Sequence, residues 1–129
     1  KITGEQLTRA SEGRTRIYRA FDTLFDQFDF LVLPTAQVFP FDVETRWPRT
    51  IAGRTMDSYH RWMEVTLPAT MAGLPTLAVP AGFGGAHKLP MGLQIIGPNH
   101  ADLAVLQIGQ AYEDASPWIG QLREQRLNS

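Results

Sequence analysis

The sequence predicts an α/β chain, part of a mixed β-sheet with flanking helices. One observation is the order of elements, which reads helix, strand, helix, strand, strand, helix. A second is charge: residues 1–64 carry 9 basic and 9 acidic side chains, whereas residues 65–122 carry only Lys88, Asp102, Glu113 and Asp114. So few charges indicate a largely buried segment. The strands are also few for so much apolar sequence, which favours a fragment of a larger domain.

The first element is predicted as an amphipathic helix from about residue 4 to residue 27. Thr3 and Gln6 form a capping-box pattern, in which each side chain accepts from the backbone N–H of the other residue. Apolar residues then recur at steps of three and four: Leu7, Ala10, Ile17, Ala20, Phe21, Leu24, Phe25 and Phe28. Gly13 is a weak point that could split the helix, because glycine costs about 1 kcal/mol relative to alanine.

A strand and a long connection are expected next. The continuous apolar run Phe30–Leu33, ended by Pro34, is typical of a strand buried on both faces. Residues 37–57 mix charges with proline and glycine and show no period, which predicts a long surface loop.

The second helix is predicted to begin after Asp57 or Ser58 and to end at about Met71 or Ala72, where Gly73 follows. Pro68 lies inside this span, so we expect a kink or a division there.

Two strands and a last helix complete the chain. Residues 76–79, ended by Pro80, and residues 91–97 predict a hairpin with a long, glycine-rich connection. Asn99 is the expected cap of a helix whose buried side carries Leu103, Leu106, Ile108, Ala111 and Tyr112 and which ends at Ser116–Pro117. The whole is interpreted as one segment, 1–129, with a core at about 5–118 and a polar tail at 119–129.

Composition excludes several classes of protein. The chain has 129 residues, a net charge of −1 and no cysteine. Without a basic block there is no electrostatic footprint for direct nucleic-acid binding. The apolar runs are much shorter than the ~20 residues that span a bilayer, so we expect a cytoplasmic protein without a membrane partner.

Catalytic and metal-binding motifs are not recognisable. Ser11, Ser58, Ser116 and Ser129 lie at helix, cap or tail positions, and no G-x-S-x-G pattern occurs. The histidines do not have metal-ligand spacing, and the glycines at 82–85 precede a strand instead of the helix that a phosphate loop needs. We therefore assign no catalytic residue, no metal ligand and no cofactor.

A row of large and hydroxylated side chains lies along the predicted second helix: Tyr59, Trp62, Met63, Thr66 and Thr70. The spacing fits a helix packed on the sheet. It also fits one wall of a substrate pocket, because small-molecule sites are apolar with a few placed polar groups. Both interpretations remain open.

Four blocks of the sequence together resemble the C-terminal part of the amidase signature family. They are DFLVLPT (29–35), AGLPTLAVPAG (72–82), LPMGLQIIG (89–97) and AYE (111–113). The resemblance implies amide hydrolysis with a serine nucleophile, a second serine and a lysine base. It places all three in preceding parts of the family's sequence, so we expect the present segment alone to be inactive.

The resemblance also implies a small-molecule amide as the partner. Thr35 and Met63 fall where family members contact substrate, and Tyr59 and Thr66 join them as candidate substrate-binding residues. The glutamyl-tRNA amidotransferase A subunits tend to carry aspartate near position 63 and asparagine at position 70. Met63 and Thr70 depart from that pattern, which favours a stand-alone amidase acting on a less polar amide.

Two alternatives stay open. One is an amidotransferase A-type subunit, and the other, from a different class, is a non-catalytic binding or assembly module. Homo-oligomers through exposed sheet or helix faces are a further expectation.

Overall fold

The computed structural model describes residues 1–86 and 88–116. The helices are α1 (Gly4–Phe25), α2 (Tyr59–Trp62), a 3₁₀ turn (Glu64–Thr66), α3 (Leu67–Ala72) and α4 (Asp102–Ala115). The strands are β1 (Leu31–Pro34), β2 (Thr50–Ile51), β3 (Arg54–Thr55), β4 (Thr76–Gly84) and β5 (Leu89–Ile96). The expectations for His87, Pro117 and the polar tail lie outside the described residues.

Helix α1 forms as the sequence predicts. Thr3 Oγ1 accepts from the N–H of Gln6 at 3.2 Å, and the Gln6 side chain accepts from the N–H of Thr3 at 2.9 Å. The helix runs through Gly13 without a break. Arg14 Nε donates to the Met71 carbonyl at 2.7 Å, which ties the helix to α3.

The main sheet has the order β1-β5-β4, and both pairs are antiparallel. Strand β5 therefore lies in the middle, with Leu31 opposite Ile96 on one side and Thr76 opposite Ile96 on the other. Helix α4 packs on β4 and β5, and α1 packs on α3. The predicted combination of a sheet with flanking helices is confirmed.

The expected end of β4 at Pro80 is wrong, because the strand continues to Gly84 with a register shift between Pro80 and Gly82. Proline lacks the N–H of a ladder, and it is tolerated here because β4 lies at an edge of the described sheet. The hairpin itself is confirmed. Its connection is short, however, since Gly82, Gly84 and Pro90 belong to the strands.

Strand β1 is not buried on both faces by the part of the chain that the structure describes. Leu31 and Leu33 are half-buried, whereas Val32 is 52% exposed. The alternation shows that one face of β1 packs on this chain and that the described residues leave the other uncovered.

The buried side of α4 also differs from the expectation. Leu103 and Leu106 are 69% and 60% exposed, and the buried positions are Val105 and Gly109. Small residues let the helix approach the sheet closely, since a Cβ at Gly109 would collide with Leu77 Cδ2. The N-cap position is Ala101, while the side chain of the expected cap, Asn99, donates to the Tyr18 hydroxyl at 3.3 Å.

The second helix is divided at Met63, which was not predicted, and again just before Pro68, as expected, because the 3₁₀ turn ends at Thr66 and α3 begins at Leu67. Met63 has φ −112° and ψ 16°, outside the helical region, so α2 ends there. Pro68 lies in the first turn of α3, where its missing N–H needs no partner. Gly73 ends α3 in the left-handed conformation, as predicted.

The long loop contains a small hairpin that the sequence did not predict. Ala52 and Gly53 both have positive φ, 47° and 78°, and connect β2 to β3. After β3 the chain turns inward, with Met56 only 5% exposed.

Candidate functional site

Two glutamine side chains hold the end of β1 against the divided helix. Gln94 on β5 is 4% exposed, and its Nε2 donates to the carbonyls of Pro34 at 2.9 Å and Val65 at 3.2 Å. Gln37 Nε2 donates to the Arg61 carbonyl at 2.9 Å. Because short helices leave their last carbonyls without helical partners, the Gln37 amide supplies a donor to a carbonyl near the end of α2. The result is a wall formed by two distant segments, 34–37 and 61–66.

Thr35 occupies a fixed place on this wall. Its N–H and its Oγ1 both donate to the Gly92 carbonyl, at 3.0 Å and 3.1 Å. A Cβ at position 92 would lie 2.7 Å from Thr35 Oγ1, so glycine is needed on the facing strand. The side chain is half-buried and stands beside a cavity.

The cavity next to Thr35 has a volume of about 180 Å³. Within residues 1–86 and 88–116 no charged side chain lines it, and the lining residues are Thr35, Ala36, Val38, Phe39, Pro40, Phe41, Trp62, Pro90, Met91 and Gly92. Phe39 packs on the backbone of β4, where a Cβ at Gly84 would lie 2.9 Å from Phe39 Cε1. The β-hairpin thus forms the floor, and the loop after β1 forms the opposite side.

An aromatic cluster packs against the cavity on the side of Trp62. The rings of Tyr59 and Trp47 meet edge to face at 5.7 Å, those of Tyr59 and Trp62 at 5.9 Å, and those of Phe41 and Trp62 at 5.6 Å. The guanidinium of Arg49 lies over the Trp47 ring at 3.9 Å. Within the described chain the indole N–H groups of Trp47 and Trp62 are buried without a hydrogen-bond acceptor. Edge-to-face geometry is the arrangement in which an N–H can face a neighbouring ring.

The four residues predicted to bind substrate lie in different settings. Thr35 lines the cavity, and Tyr59, 45% exposed, contacts Trp62 behind it. Met63 is half-buried at the helix break. The Thr66 hydroxyl donates to the Met63 carbonyl at 3.0 Å, within its own turn. Since the helix is divided, these side chains do not form one continuous helical face.

Several residues of the site were not predicted. Trp62 belonged to the expected row of side chains but not to the predicted binding set, and Gln37, Phe39, Phe41, Met91 and Gln94 were not considered. Gln94 had a signal in the sequence, because it is the polar residue within the apolar run 93–96. A buried polar side chain needs partners, and here these are two backbone carbonyls.

Charged groups lie at the outer side of the divided helix. Arg61 Nη1 bonds Glu64 Oε2 at 3.1 Å and Arg61 Nε bonds Asp57 Oδ1 at 3.4 Å. The hydrogen bond to Asp57 is the main cause that raises the pKa of Arg61, and the hydrogen bond to Glu64 is the second cause. The Arg61 side chain therefore stays charged. Both carboxylates are thus engaged by Arg61, away from the cavity lining.

The hydroxyl and amine groups of the chain do not form a catalytic arrangement among the residues that the structure covers. Ser58 occupies the N-cap position of α2 but makes no side-chain cap bond. Among the described residues the Ser116 hydroxyl is buried and has no hydrogen-bond partner, which differs from the expected capping or solvated role. Lys1 and Lys88 are exposed, so neither has the desolvated setting of a lysine base.

Residues 1–86 and 88–116 contain no group of three or more acidic or histidine side chains placed to hold a metal ion. In the same ranges no helix is long and apolar enough to cross a membrane.

Comparison with known proteins decides the family, since the model of the Amidase family matches residues 2–106. The chain belongs to the amidase family. The glutamyl-tRNA(Gln) amidotransferase A subunit of Dehalococcoides mccartyi is 35% identical over 112 residues, which is 85% of this chain and 21% of that protein. The corresponding protein of Roseiflexus castenholzii is 36% identical over 120 residues, 92% of this chain and 22% of that protein. This amidase-family chain therefore spans about a fifth of the length of these relatives.

Solved structures agree with this assignment. A bacterial aryl acylamidase of the amidase signature family superposes with a TM-score of 0.81 at 33% identity, over 93% of this chain and 25% of that enzyme. The glutamyl-tRNA(Gln) amidotransferase A subunit of Thermotoga maritima gives a TM-score of 0.67 at 31% identity, over 86% of this chain and 23% of that protein. The predicted family and the predicted partial amidase-signature fold are confirmed.

Proposed function

We propose that this amidase-family chain is the C-terminal segment of an amide hydrolase, in which it supplies sheet scaffold and part of the substrate pocket. Family membership over residues 2–106 supports amide chemistry. The family resemblance implies a serine nucleophile, a second serine and a lysine base in another part of the protein, and the unbonded Ser58 side chain and the exposed Lys1 and Lys88 fit that location.

The observation that carries the proposal is the double hydrogen bond of Gln94. It joins Pro34, the residue before Thr35, to Val65, which lies between Met63 and Thr66. Two segments far apart in sequence are thereby held as one wall. A wall held by a buried amide is the kind of rigid support that substrate positioning requires.

In the proposed reaction the segment binds and orients the amide while an activated serine attacks the carbonyl carbon. The C–N bond breaks, the amine leaves with a proton, and water releases the acid from the serine. Thr35, Met63, Tyr59 and Thr66 are the proposed substrate-binding residues. None of them carries a charge, which suits an uncharged amide better than a zwitterion.

The second candidate is an amidotransferase A-type subunit, which would deliver ammonia to a partner protein. The identity of 35–36% to the amidotransferase proteins of D. mccartyi and R. castenholzii favours it. Met63 and Thr70 count against it, since neither side chain is charged and neither can form an ion pair with the α-amino or α-carboxylate group of glutamine.

The test is ammonia or amine release by the full-length protein encoded by the gene. We expect turnover of neutral amides above that of glutamine, lost when the serine nucleophile is replaced by alanine. Glutamine turnover that rises only with a partner protein would support the second candidate. A folded full-length protein that hydrolyses no amide would support the non-catalytic module. We also expect no turnover by the 129-residue chain alone.

A further inference from the structure

The cavity beside Thr35 is built for an apolar group of limited size. Its volume is about 180 Å³, and the described residues that line it include no charged side chain. An apolar cavity of about 150 Å³ is enough to bind benzene. The space among the described residues therefore matches one six-membered ring with a short substituent.

The shape of the cavity depends on two glycines of the β-hairpin, Gly84 and Gly92. Thr35 Oγ1 would lie 2.7 Å from a Cβ at Gly92, and Phe39 Cε1 would lie 2.9 Å from a Cβ at Gly84. Both glycines let the opposite side of the cavity approach the β-hairpin closely.

Aromatic side chains form the remaining sides. Phe41 stands edge to face on Trp62, with ring centroids 5.6 Å apart. Phe39 and Phe41 are 60% and 39% exposed, so both still have ring surface that a bound group can cover. The Thr35 hydroxyl and the Trp62 indole N–H are the polar side-chain groups of the described lining, and the Thr35 donor is already engaged by the Gly92 carbonyl.

We propose that this cavity takes a single aromatic ring of the amide substrate, with Phe39 and Phe41 as the residues that select it. The proposal rests on the proposed function, and it names the substrate class: amides that carry one phenyl group. The ring can belong to the acyl side, as in benzamide, or to the amine side, as in acetanilide. Hydrolysis of the two compounds by the full-length protein distinguishes these sources.

The first experiment compares kcat/KM of the full-length protein for each phenyl amide with that for acetamide. Phe41→Ala removes one side of the cavity, and we expect the preference for the favoured phenyl amide to fall by about tenfold or more. Ala36→Leu fills the cavity and should lower the preference for the favoured phenyl amide in the same way. The matched control is Val43→Ala, a substitution in the same loop at a side chain that is 93% exposed and outside the lining.

The second experiment does not depend on turnover. Saturation-transfer NMR with benzyl alcohol, which has no amide bond, should show binding to the wild-type and Val43→Ala proteins. The signal should fall strongly in Ala36→Leu and Phe41→Ala. Ala36 and Phe41 lie in different parts of the loop, so loss of benzyl alcohol binding in both variants would indicate a change in the cavity and not misfolding at one position. Circular dichroism checks the fold of each variant.

The outcomes separate this proposal from the proposed function. Benzyl alcohol binding that depends on the cavity, in a protein that hydrolyses no amide, would support the ring site and reject the hydrolase. Amide hydrolysis with a phenyl preference unchanged in Phe41→Ala and Ala36→Leu would support the hydrolase and overturn the ring site.

Discussion

Gln94 is the buried polar residue at the centre of the sheet, and its amide connects three segments of the chain. It lies on β5 and donates to carbonyls 60 and 29 positions away. A buried carbonyl that loses its donor is destabilising by about 1–3 kcal/mol. Gln94 therefore contributes both to stability and to the position of Thr35.

We expect Gln94→Leu to destabilise the full-length protein by about 1–3 kcal/mol, because the Pro34 and Val65 carbonyls lose their donor. Urea unfolding measures the change. Gln107→Leu, an exposed position on α4, is the control and should change stability by less than about 0.5 kcal/mol. Equal effects of the two substitutions would show that the hydrogen bonds of Gln94 contribute little.

Substitution of Met63 tests whether this proposed binding residue faces the substrate. It is half-buried at the helix break, and Met63→Asp places a carboxylate there. If the side chain faces substrate, kcat/KM for neutral amides should fall by about tenfold or more relative to polar amides, with a small change in melting temperature.

The control is Met71→Asp on α3, at a side chain that is 42% exposed. It should leave the substrate preference unchanged. Equal loss of activity of Met63→Asp on all amides, together with a lower melting temperature, would instead place Met63 in the core.

At the scale of elements, small residues decide how closely the helices approach their neighbours. Gly109 brings the α4 backbone against Leu77 of β4. Gly13 in α1 faces open space, where a Cβ would meet only the Arg16 Nη2 atom at 3.8 Å. The same residue type therefore has a packing role in one helix and none in the other.

This contrast predicts opposite effects of one substitution. Gly13→Ala should stabilise the protein by about 0.5–1 kcal/mol, because alanine is the better helix former. Gly109→Ala should destabilise it by about 1–3 kcal/mol, since the new methyl group collides with Leu77. Denaturant unfolding measures both. Leu77→Ala, combined with Gly109→Ala, should recover part of the loss that the collision causes, and no recovery would contradict the packing explanation.

At the scale of the whole molecule, the described residues leave much apolar surface uncovered. Phe28, Val32, Leu103 and Leu106 are each more than half exposed, with fractions of 56%, 52%, 69% and 60%. Val32 lies on β1 at one edge of the described sheet, and the two leucines lie on α4. Exposed apolar patches and open strand edges favour association.

We therefore expect the 129-residue chain to self-associate, with a mean mass by light scattering that rises with concentration. Leu103→Glu combined with Leu106→Glu should reduce this increase, because both side chains are exposed on α4. A strict monomer over a wide concentration range would contradict the prediction.

Local patterns predicted much of the fold but little of the site. The hairpin of β4 and β5 and the end of α3 at Gly73 followed from short motifs. The break at Met63 was missed because methionine does not interrupt a helix by itself. In the site, Thr35 was predicted from a family resemblance. Phe39 and Phe41, which line the cavity, were not predicted, because the sequence indicated only a loop at those positions.

Several elements whose hydrogen bonds close within a few residues follow from the amino-acid sequence alone, although the small hairpin of β2 and β3 did not. The capping box of Thr3 and Gln6 is the clearest case, because both partners are three positions apart. Which side chains are buried and which segments meet became known from the folded chain. Leu103 fits an apolar helix face yet is exposed, and Gln94 is buried because carbonyls from distant segments reach it. Burial depends on the surface that arrives from elsewhere in the chain, and no local pattern contains that information.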